Sequence, residues 1–501
     1  MKFESATTTE ALESAIPNSP ASPLVRLARA VFSFRVMLAV GLAVVTVCTV
    51  SNRFNDPDLW WHLKAGEIVW DTHSVPSKDL FSYTAYGQPS TEHEWLAQWS
   101  IYATYKLGGY TGLMLWLATL ASLLFVLVYL LCYRCSGNAL AAFMGGLCAW
   151  FFGTVGLAIR PLILGHLFLV MELILLELAI RNRRWLWLLP PLFAVWVNCH
   201  GSFFFGLGVL SVYWVCSRIG GQWGLVVAEP WDKPTRKTLT SVVALCALAL
   251  CCNPVGIHVF LYPLNVLGQQ STSMNAIDEW LPPDLRSSRG LGMIAAVLGI
   301  LLIPLVRRSE LRLREVLTVA MAFGLAVLHF RMLFVFGLAV SPVLCRLLSP
   351  LLEERRGREH PIANALLMSV FLAAMIWVFP GSGRIQKQIQ QANPIGAVDY
   401  IRRAGLSGPM LNDYRFGAYL IWALPQHKVF IDGRGDVFDP TGILAAYGRW
   451  ATLEEDPNLL LEKYRIRFCL LSKNAPMARV LPYLPGWRRV YSDDLATVYV
   501  R

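Results

Sequence analysis

About eleven apolar stretches, each long enough or nearly long enough to cross a bilayer, constrain this chain more than any other feature of its sequence. Short segments rich in arginine and lysine separate them, which is the pattern of a polytopic membrane protein. The fold class is therefore predicted to be polytopic α-helical. The predicted spans are 33–51, 109–132, 138–158, 162–180, 186–200, 203–218, 238–252, 289–306, 315–329, 332–348 and 362–379.

The distribution of charge agrees with this prediction. Only 15% of the residues are charged, whereas soluble domains carry roughly 25%. The net charge of +11 would indicate a nucleic-acid partner in a soluble protein. Here the basic residues lie mostly in short loops, where they set topology and meet anionic membrane lipids. We therefore expect membrane lipids as partners and no nucleic acid.

Lysine and arginine are concentrated in alternate loops, beginning with the N-terminal arm. The positive-inside rule then predicts a cytoplasmic N-terminus and, after an odd number of spans, a C-terminal domain outside the membrane. We divide the chain into a disordered arm (1–30), a membrane domain (31–380) whose first outer loop is 52–96, and an extracytoplasmic α/β domain (381–501). The predicted location is therefore a membrane that the chain crosses several times.

The C-terminal 120 or so residues alternate between helix and strand patterns, as in a small α/β domain. Strands are expected in 408–413, 427–432 and 467–472, followed by a hairpin in 487–501. Polar side chains such as Asn412, Asp413, Asp432 and Arg434 follow two of the strands. Strand ends bind ligands in many α/β domains, but they also carry turns and helix caps, and the latter interpretation is favoured here. Recognition of an acceptor and closure over a cavity are both open roles for the domain.

The most informative motif is FNDPDLWWHLKAGE, directly after the first span. Pro57 favours an extended conformation for Asp56, and Asp58 is placed to cap a surface helix that begins at Leu59. One interpretation is that the two acids are only a cap and a solvated loop residue. The other is that a carboxylate at the membrane boundary binds a divalent cation or acts as a general base.

Further polar residues are predicted on the same side of the membrane, and each has a structural alternative. His93 and Glu94 end the first loop, where capping is the alternative. Asn198 and His200 lie where two half-length helices are expected to meet, as in helices that line cavities. Trp60 and Trp61 are favoured as interfacial anchors rather than ligand contacts. The candidate substrate-binding residues are His93, Glu94, Asn198, His200, Glu279 and Arg331, with Arg160 comparable to Arg331.

An acidic motif that opens a surface helix in the first outer loop resembles the GT-C glycosyltransferases. The pattern DPDLWWHL, VPSKDLFSYTAYGQP and HEWL is most similar to bacterial relatives of the protein O-mannosyltransferases and aminoarabinose transferases. Those enzymes commonly carry Asp-Glu at the motif. This chain has Leu59 after Asp58, so Asp56 is the remaining source of a second acid.

The resemblance implies transfer of a sugar from a polyprenyl-phosphate donor to an envelope lipid, glycan or protein on the outer face of a bacterial inner membrane, which is the predicted location. It implies inversion at the sugar carbon, with Asp58 as the first candidate base and Asp56 as the second. Both acids are also candidate ligands of Mg²⁺ or Mn²⁺.

Two other functions remain open. Broken helices and buried polar residues also occur in transporters and flippases of lipid-linked glycans. The missing second acid fits a scaffold that keeps the fold without the chemistry. The sequence leaves the sugar, the acceptor and the oligomeric state open.

Overall fold

The structure of the protein, a computed structural model, describes residues 22–90, 92–261, 278–352 and 360–501. Of the arm predicted to be disordered (1–30), residues 1–21 lie outside these residues, whereas most of the remainder is helical. The helices of the membrane domain are α1 (Pro23–Val31), α2 (Phe34–Val50), α3 (Leu59–Thr72), α4 (Trp95–Ser136), α5 (Ala139–Gly153), α6 (Leu162–Ala179), α7 (Leu189–Trp196), α8 (Phe203–Cys216), α9 (Lys233–Ala249), α10 (Ser288–Arg307), α11 (Leu313–Leu328), α12 (Leu333–Leu348) and α13 (Pro361–Val378).

Six helical segments in the described part of the chain are long and apolar enough to cross a membrane. They become seven if α1 and α2, which are bent by 41° relative to each other, form one span. The chain is thus a multi-pass membrane protein, as predicted. The total of about eleven spans stays a prediction, because α7, α8, α9 and α11 are shorter than the roughly 20 residues that a bilayer crossing requires.

Helix α4 is 42 residues long and begins at Trp95, well before the predicted span at 109–132. Gly109 marks a kink, with φ 57° and ψ −149° inside the helix. Glycine lacks a Cβ and adopts this conformation without steric cost. The kink lets the first part of α4 pack along α3 while the second part enters the bundle.

The predicted break near Asn198 is confirmed, since α7 ends at Trp196 and α8 begins at Phe203. Asn198 secures the break: its side-chain amide donates to the carbonyls of Ala194 (2.8 Å) and Cys252 (2.7 Å). Its amide oxygen accepts a hydrogen bond of 2.6 Å from Nε1 of Trp95. Irregular backbone at membrane depth needs such partners, because water is not there to replace them.

A small sheet lies at the opposite end of the bundle from the first loop (residues 52–96). β1 (Gly221–Trp223) pairs antiparallel with β2 (Val226–Ala228), and β2 pairs parallel with β3 (Leu311–Arg312). This sheet ties the segment after α8 to the start of α11.

The C-terminal domain contains the predicted α/β elements. Its sheet has the order β4-β5-β7-β6, with β4 and β5 parallel and the other pairs antiparallel. The strands are β4 (Met410–Asn412), β5 (Phe468–Ser472), β6 (Arg488–Ser492) and β7 (Ala496–Val500). The helices are α14 (Ser382–Ala392), α15 (Ile395–Arg403), α16 (Gly417–Ala423), α17 (Gly435–Phe438), α18 (Ile443–Ala451), α19 (Pro457–Lys463) and α20 (Pro476–Val480).

The predicted strand at 427–432 is wrong, because this segment does not join the sheet. Val429 instead forms an isolated parallel bridge with Ser82 of the first loop. The backbone N–H of Tyr83 donates to the Val429 carbonyl (3.1 Å), and the Val429 N–H donates to the carbonyl of Phe81 (3.0 Å). The segment has the composition of a strand, but it pairs with the first loop and so attaches that loop to the C-terminal domain.

A buried arginine reinforces this attachment. Arg434 of the C-terminal domain lies 2.7 Å from Asp432 and 2.8 Å from Asp79 of the first loop. The side chain of Arg434 is only 2% exposed and both carboxylates are fully buried. Such a group is stable in the interior only when its charge is paired and hydrogen-bonded. The first loop and the C-terminal domain are therefore one packed unit.

Trp60 lies where the C-terminal domain contacts the membrane domain. It is not a membrane-surface anchor, in contrast to the prediction. It is 1% exposed and makes edge-on contacts with Tyr419 of α16 (5.0 Å) and Tyr110 of α4 (6.0 Å between ring centroids). Leu59 and Leu63 of α3 are also buried, as the helical spacing predicted. The reason for the difference is that the C-terminal domain covers α3.

Replacing Arg434 by methionine is expected to lower stability by about 3–5 kcal/mol, because Asp79 and Asp432 would stay buried without their counter-ion. A fall in the thermal unfolding temperature of the full chain in detergent would show this. Arg449→Met is the matched control, since Arg449 belongs to an exposed pair in the same domain, and such pairs contribute about 0–1 kcal/mol. Equal unfolding temperatures for the two variants would contradict the expectation.

Candidate active site

The Asp-Pro-Asp motif forms a tight turn that orients its two carboxylates differently. Oδ1 of Asp56 accepts a hydrogen bond of 2.9 Å from the backbone N–H of Asp58. Helix α3 begins at Leu59, as predicted, but the Asp58 side chain makes no capping hydrogen bond to it. Asp56 therefore holds the turn, and the carboxylate of Asp58 is available for other contacts.

Arg160, in the segment between α5 and α6, brings the acids together. Its Nε lies 2.6 Å from Oδ2 of Asp56, and one terminal nitrogen lies 3.2 Å from Oδ2 of Asp58. The same nitrogen lies 3.8 Å from Oε2 of Glu279. The structure thus brings three of the predicted site residues, Asp56, Asp58 and Glu279, around one guanidinium. Sequence analysis treated Arg160 as only one of several candidates.

The C-terminal domain closes over Asp58 through Gly433. A Cβ built on Gly433 would lie 2.5 Å from Oδ1 of Asp58, well inside van der Waals contact. Any larger residue would displace either the carboxylate or the segment that Arg434 anchors. Sequence analysis assigned this Asp-Gly-Arg segment to a turn and missed its place at the site.

A cavity of about 340 Å³ opens beside Arg160 and contains four arginines. It lies at the ends of α5, α6, α10 and α12, next to the junction of the first span and the first loop. Asp56 and Glu279 also line it, so the basic cavity and the acidic motif are continuous. The lining residues are Arg53, Asp56, Thr154, Val155, Gly156, Ala158, Arg160, Leu162, Glu279, Arg289, Phe330 and Arg331.

One wall of the cavity is fixed by the segment that precedes α12. Arg331 stacks on the indole of Trp280, 4.4 Å from the ring centroid. Nδ1 of His329 lies 2.7 Å from the Trp280 carbonyl, and the N–H of Phe330 donates to Leu281 (2.8 Å). These contacts hold Glu279 at the cavity, where 43% of its side chain is exposed.

A second cluster of polar side chains surrounds Glu94, at the start of α4. Oε1 of Glu94 lies 3.5 Å from Nε2 of His200 and 3.9 Å from Nε2 of His93. The Glu94 side chain makes no capping hydrogen bond, so the capping alternative is not what the structure shows. Nδ1 of His200 accepts a hydrogen bond from the Ser202 N–H, which leaves the proton on Nε2, facing Glu94.

Sequence analysis missed the residues that connect the two groups. Gln98 donates to Oε2 of Glu92 (3.0 Å) and lies 3.4 Å from Nδ1 of His62. His62 lies one turn after Asp58 on α3, and Gln98 lies one turn after Glu94 on α4. Their spacing within each helix was visible, but the packing of α3 against α4 was not.

Burial raises the pKa values of the two principal carboxyl groups of the site, Asp58 and Glu94. The pKa of Asp58 is raised to about 6 by burial, against the opposing effect of Arg160. The pKa of Glu94 is raised to about 8 by burial and then by repulsion from Glu92. At neutral pH, Asp58 is therefore mainly ionised and Glu94 is mainly protonated.

Replacing Asp58 by asparagine is expected to stabilise the protein at neutral and alkaline pH. Because the pKa of Asp58 lies above its ordinary value of 3.8, its ionisation costs more in the folded state than in the unfolded chain. The contribution of protonated Asp58 to the free energy of unfolding is therefore complete below about pH 4, and it is lost as the pH rises through about 6. The gain in unfolding temperature should therefore be larger at pH 8 than at pH 4.5.

Asp71→Asn serves as the control, since Asp71 is an exposed acid at the end of the same helix. A destabilised Asp58→Asn variant at pH 8 would show that its ion pair with Arg160 outweighs the cost of burial.

Comparison with known proteins gives a likeness of fold but no close relative. No family model and no curated sequence matches the chain. The oligosaccharyltransferase of Archaeoglobus fulgidus, solved with a tethered acceptor peptide, superposes with a TM-score of 0.55 and 12% identity over 87% of this chain and 69% of that one.

The same archaeal enzyme, in complex with an inhibitory peptide and a dolichol-phosphate, superposes with a TM-score of 0.50 and 11% identity. ArnT from Cupriavidus metallidurans, bound to undecaprenyl phosphate, gives a TM-score of 0.48 and 15% identity over 96% of this chain and 98% of that one. The likeness to the archaeal enzyme shows that the two proteins share a fold.

Proposed function

We propose that this protein is a glycosyltransferase that moves a sugar from a polyprenyl-phosphate donor to an envelope lipid, glycan or protein. The observation that carries the proposal is the juxtaposition of Asp58 with a cavity containing four arginines, at the end of a GT-C membrane bundle. A base for the acceptor and a cradle for an anionic leaving group are the two parts that such a transfer needs.

The cavity suits a lipid-linked phosphate. Guanidinium groups match phosphate oxygens in geometry and charge. Arg289 lies at the start of α10, whose residues Leu291, Ile294 and Leu298 are exposed on the helix surface. A donor with its phosphate among the arginines therefore has apolar helix surface next to it for the polyprenyl tail.

Asp58 is the proposed general base. Its carboxylate accepts the proton of the acceptor hydroxyl while the acceptor oxygen attacks the anomeric carbon. The bond from that carbon to the phosphate oxygen breaks, and its electron pair leaves with the phosphate, which the arginines stabilise. Attack opposite the leaving group inverts the sugar carbon. Asp56, fixed by its turn and by Arg160, positions Asp58 and is the second candidate.

A divalent cation at Asp56 and Asp58 stays a hypothesis, and the donor set fits it poorly. Oδ2 of each acid faces Arg160, and Oδ1 of Asp56 is bonded to the backbone. In the part of the chain that the structure describes, no three His, Cys, Asp or Glu side chains are grouped to hold a metal. A cation at this position would have to displace Arg160, so we propose that the guanidinium supplies the positive charge.

The group around Glu94 is proposed to contact the substrate. His93, Glu94 and His200 present proton donors and acceptors close to one another. Asn198 has both amide protons committed to backbone carbonyls, so we assign it a positioning role at the helix break.

The proposed location is the outer face of a bacterial inner membrane, with the N-terminus in the cytoplasm. The arginine and lysine pattern supports this orientation. A donor carried by a lipid also suits an outer face, where nucleotide sugars are not supplied.

One observation favours a transporter as the second candidate. Glu172, within α6, is fully buried, and neither carboxylate oxygen has a hydrogen-bond partner among the described residues. Isolated acids inside membrane helices are typical of proton-coupled transport. Glu172 lies beside Trp196 and Gly206, away from the arginine cavity.

Asp58→Asn is expected to lower sugar transfer by at least about 100-fold, the usual contribution of a general base. The assay measures transfer of label from radiolabelled polyprenyl-phosphate sugars to envelope extracts by full-length protein in nanodiscs. Asp71→Asn is the matched control and should keep wild-type activity. Transfer by Asp58→Asn at the wild-type rate would remove Asp58 from the mechanism, and no transfer by folded wild type would favour the transporter or the scaffold.

Transfer should fall as the pH drops through about 6, because protonated Asp58 cannot accept a proton. The fall should move to higher pH in Arg160→Gln, since Arg160 is the group that lowers the pKa of Asp58. The pH profile of kcat/KM measures both. A profile unchanged by the substitution would contradict the assignment.

Chelation with EDTA is expected to leave transfer within about twofold of the untreated rate, because Arg160 already pairs with both acids. Loss of activity that Mg²⁺ or Mn²⁺ restores would instead establish the cation hypothesis.

A further inference from the structure

We infer that a second cavity, at the end of the bundle opposite the candidate active site, binds the head group of an anionic phospholipid. The cavity has a volume of about 380 Å³. It is formed by the ends of α4 and α6, the segment between β2 and α9, and the start of α11. The inference does not depend on the proposed function, because this cavity shares no lining residue with the arginine cavity beside Asp58.

Helix α6 places the second cavity at the other boundary of the membrane. Leu162, the first residue of α6, lines the arginine cavity, whereas Glu177 and Ile180 at the other end of the helix line the second one. A helix of 18 residues is about 27 Å long. The hydrocarbon core of a bilayer is about 30 Å thick. The second cavity therefore lies at the level of the head groups of the opposite leaflet.

Four arginines line this cavity, and two of them have no counter-ion. Nε of Arg314 lies 3.3 Å from Oε1 of Glu177, and Arg312 lies 3.5 Å from Glu315. Arg134, in the last turn of α4, and Arg181, just after α6, form no ion pair with any residue that the structure describes. Both side chains are exposed, so their guanidinium groups are accessible to an anion at the mouth of the cavity.

The acids of the lining leave an excess of positive charge. Glu177 is already bound, because the hydroxyl of Tyr213 donates to the oxygen that faces Arg314 (2.9 Å). Asp232 accepts a backbone N–H at the start of α9 (3.1 Å). With Glu229, the lining has three acids against four arginines.

The residues that pair with the lining do not change the sign of this excess. Glu315 pairs with Arg346 (2.5 Å) as well as with Arg312, so it adds an arginine together with an acid. Arg183 adds a further positive charge close to Asp232. An anionic phosphodiester therefore meets a site that is positive overall, and guanidinium groups match its oxygens in geometry.

Apolar side chains continue from the cavity along the side of the bundle. Ile180 lines the cavity, and Trp185, Trp187 and Leu188 follow it in the segment before α7. Each of these four side chains is at least 40% exposed. Tryptophan is enriched at the level of the lipid head groups. A ligand held by the arginines therefore has apolar surface next to it for acyl chains, which a soluble phosphate would leave uncovered.

A basic cavity between helix ends, with apolar surface beside it, is the arrangement that binds anionic lipid head groups. The phosphate lies between Arg134 and Arg181 and so joins the end of α4 to the end of α6. In the predicted orientation this end of the bundle faces the cytoplasm, and the cytoplasmic leaflet is the one that carries anionic lipids.

The test compares phosphatidylglycerol, which is anionic, with zwitterionic phosphatidylethanolamine of the same acyl chains. Native mass spectrometry of the full-length protein in detergent gives both dissociation constants. We expect phosphatidylglycerol to bind at least about 10-fold more tightly, because two arginines at the membrane surface lack a counter-ion. The double variant Arg134→Gln, Arg181→Gln should bring the ratio of the two constants close to one. Its unfolding temperature without added lipid should equal that of wild type, since neither arginine has a partner to lose.

The double variant Arg307→Gln, Arg308→Gln is the matched control. It removes two exposed arginines at the end of α10 on the same side of the membrane, and neither of them lines the cavity. It should keep the wild-type ratio. Equal affinity of wild type for the two lipids, or a preference that survives in the Arg134 and Arg181 double variant, would overturn the inference. Displacement of labelled phosphatidylglycerol by an equal concentration of glycerol 3-phosphate would show a site for a soluble anion and would overturn the lipid assignment.

Discussion

The ion pairs of Arg160 are the interaction on which the site depends. They join the turn after the first span, the segment between α5 and α6, and the segment before α10, which are far apart in the sequence. A charged group this close to the membrane is stable only with partners, so none of the three segments reaches a low free energy without the other two. The geometry of the candidate site is therefore a consequence of charge pairing as much as of helix packing.

The C-terminal domain belongs to the site and is not an appendage. Arg434 fastens it to Asp79, Val429 bridges it to Ser82, and Gly433 lies against Asp58. The carboxylate of Asp58 is only 22% exposed in this arrangement, and its partial burial raises its pKa and strengthens the electrostatic contacts that it makes.

Sequence patterns predicted the features that local chemistry decides. Apolar length located the membrane helices, Pro57 and Asp58 located the start of α3, and polar residues after Trp196 located the broken helix. Sequence patterns did not predict contacts between residues that are far apart in the chain. Thr84 donates to the carbonyl of Phe430, 346 positions away, and no local pattern in either segment indicates the other. For the same reason, Trp60 was predicted to lie at the membrane surface although the domain covers it.

The environments of the two carboxyl groups divide the chemistry between them. Asp58 lies beside Arg160, which keeps much of it ionised at neutral pH although it is buried. Glu94 has a like-charged neighbour in Glu92, and its pKa of about 8 leaves it protonated. Two acids whose pKa values are pushed apart can serve as base and hydrogen-bond donor in one site. Under the proposed function, Glu94 therefore orients a hydroxyl of the sugar or the acceptor while Asp58 removes the proton.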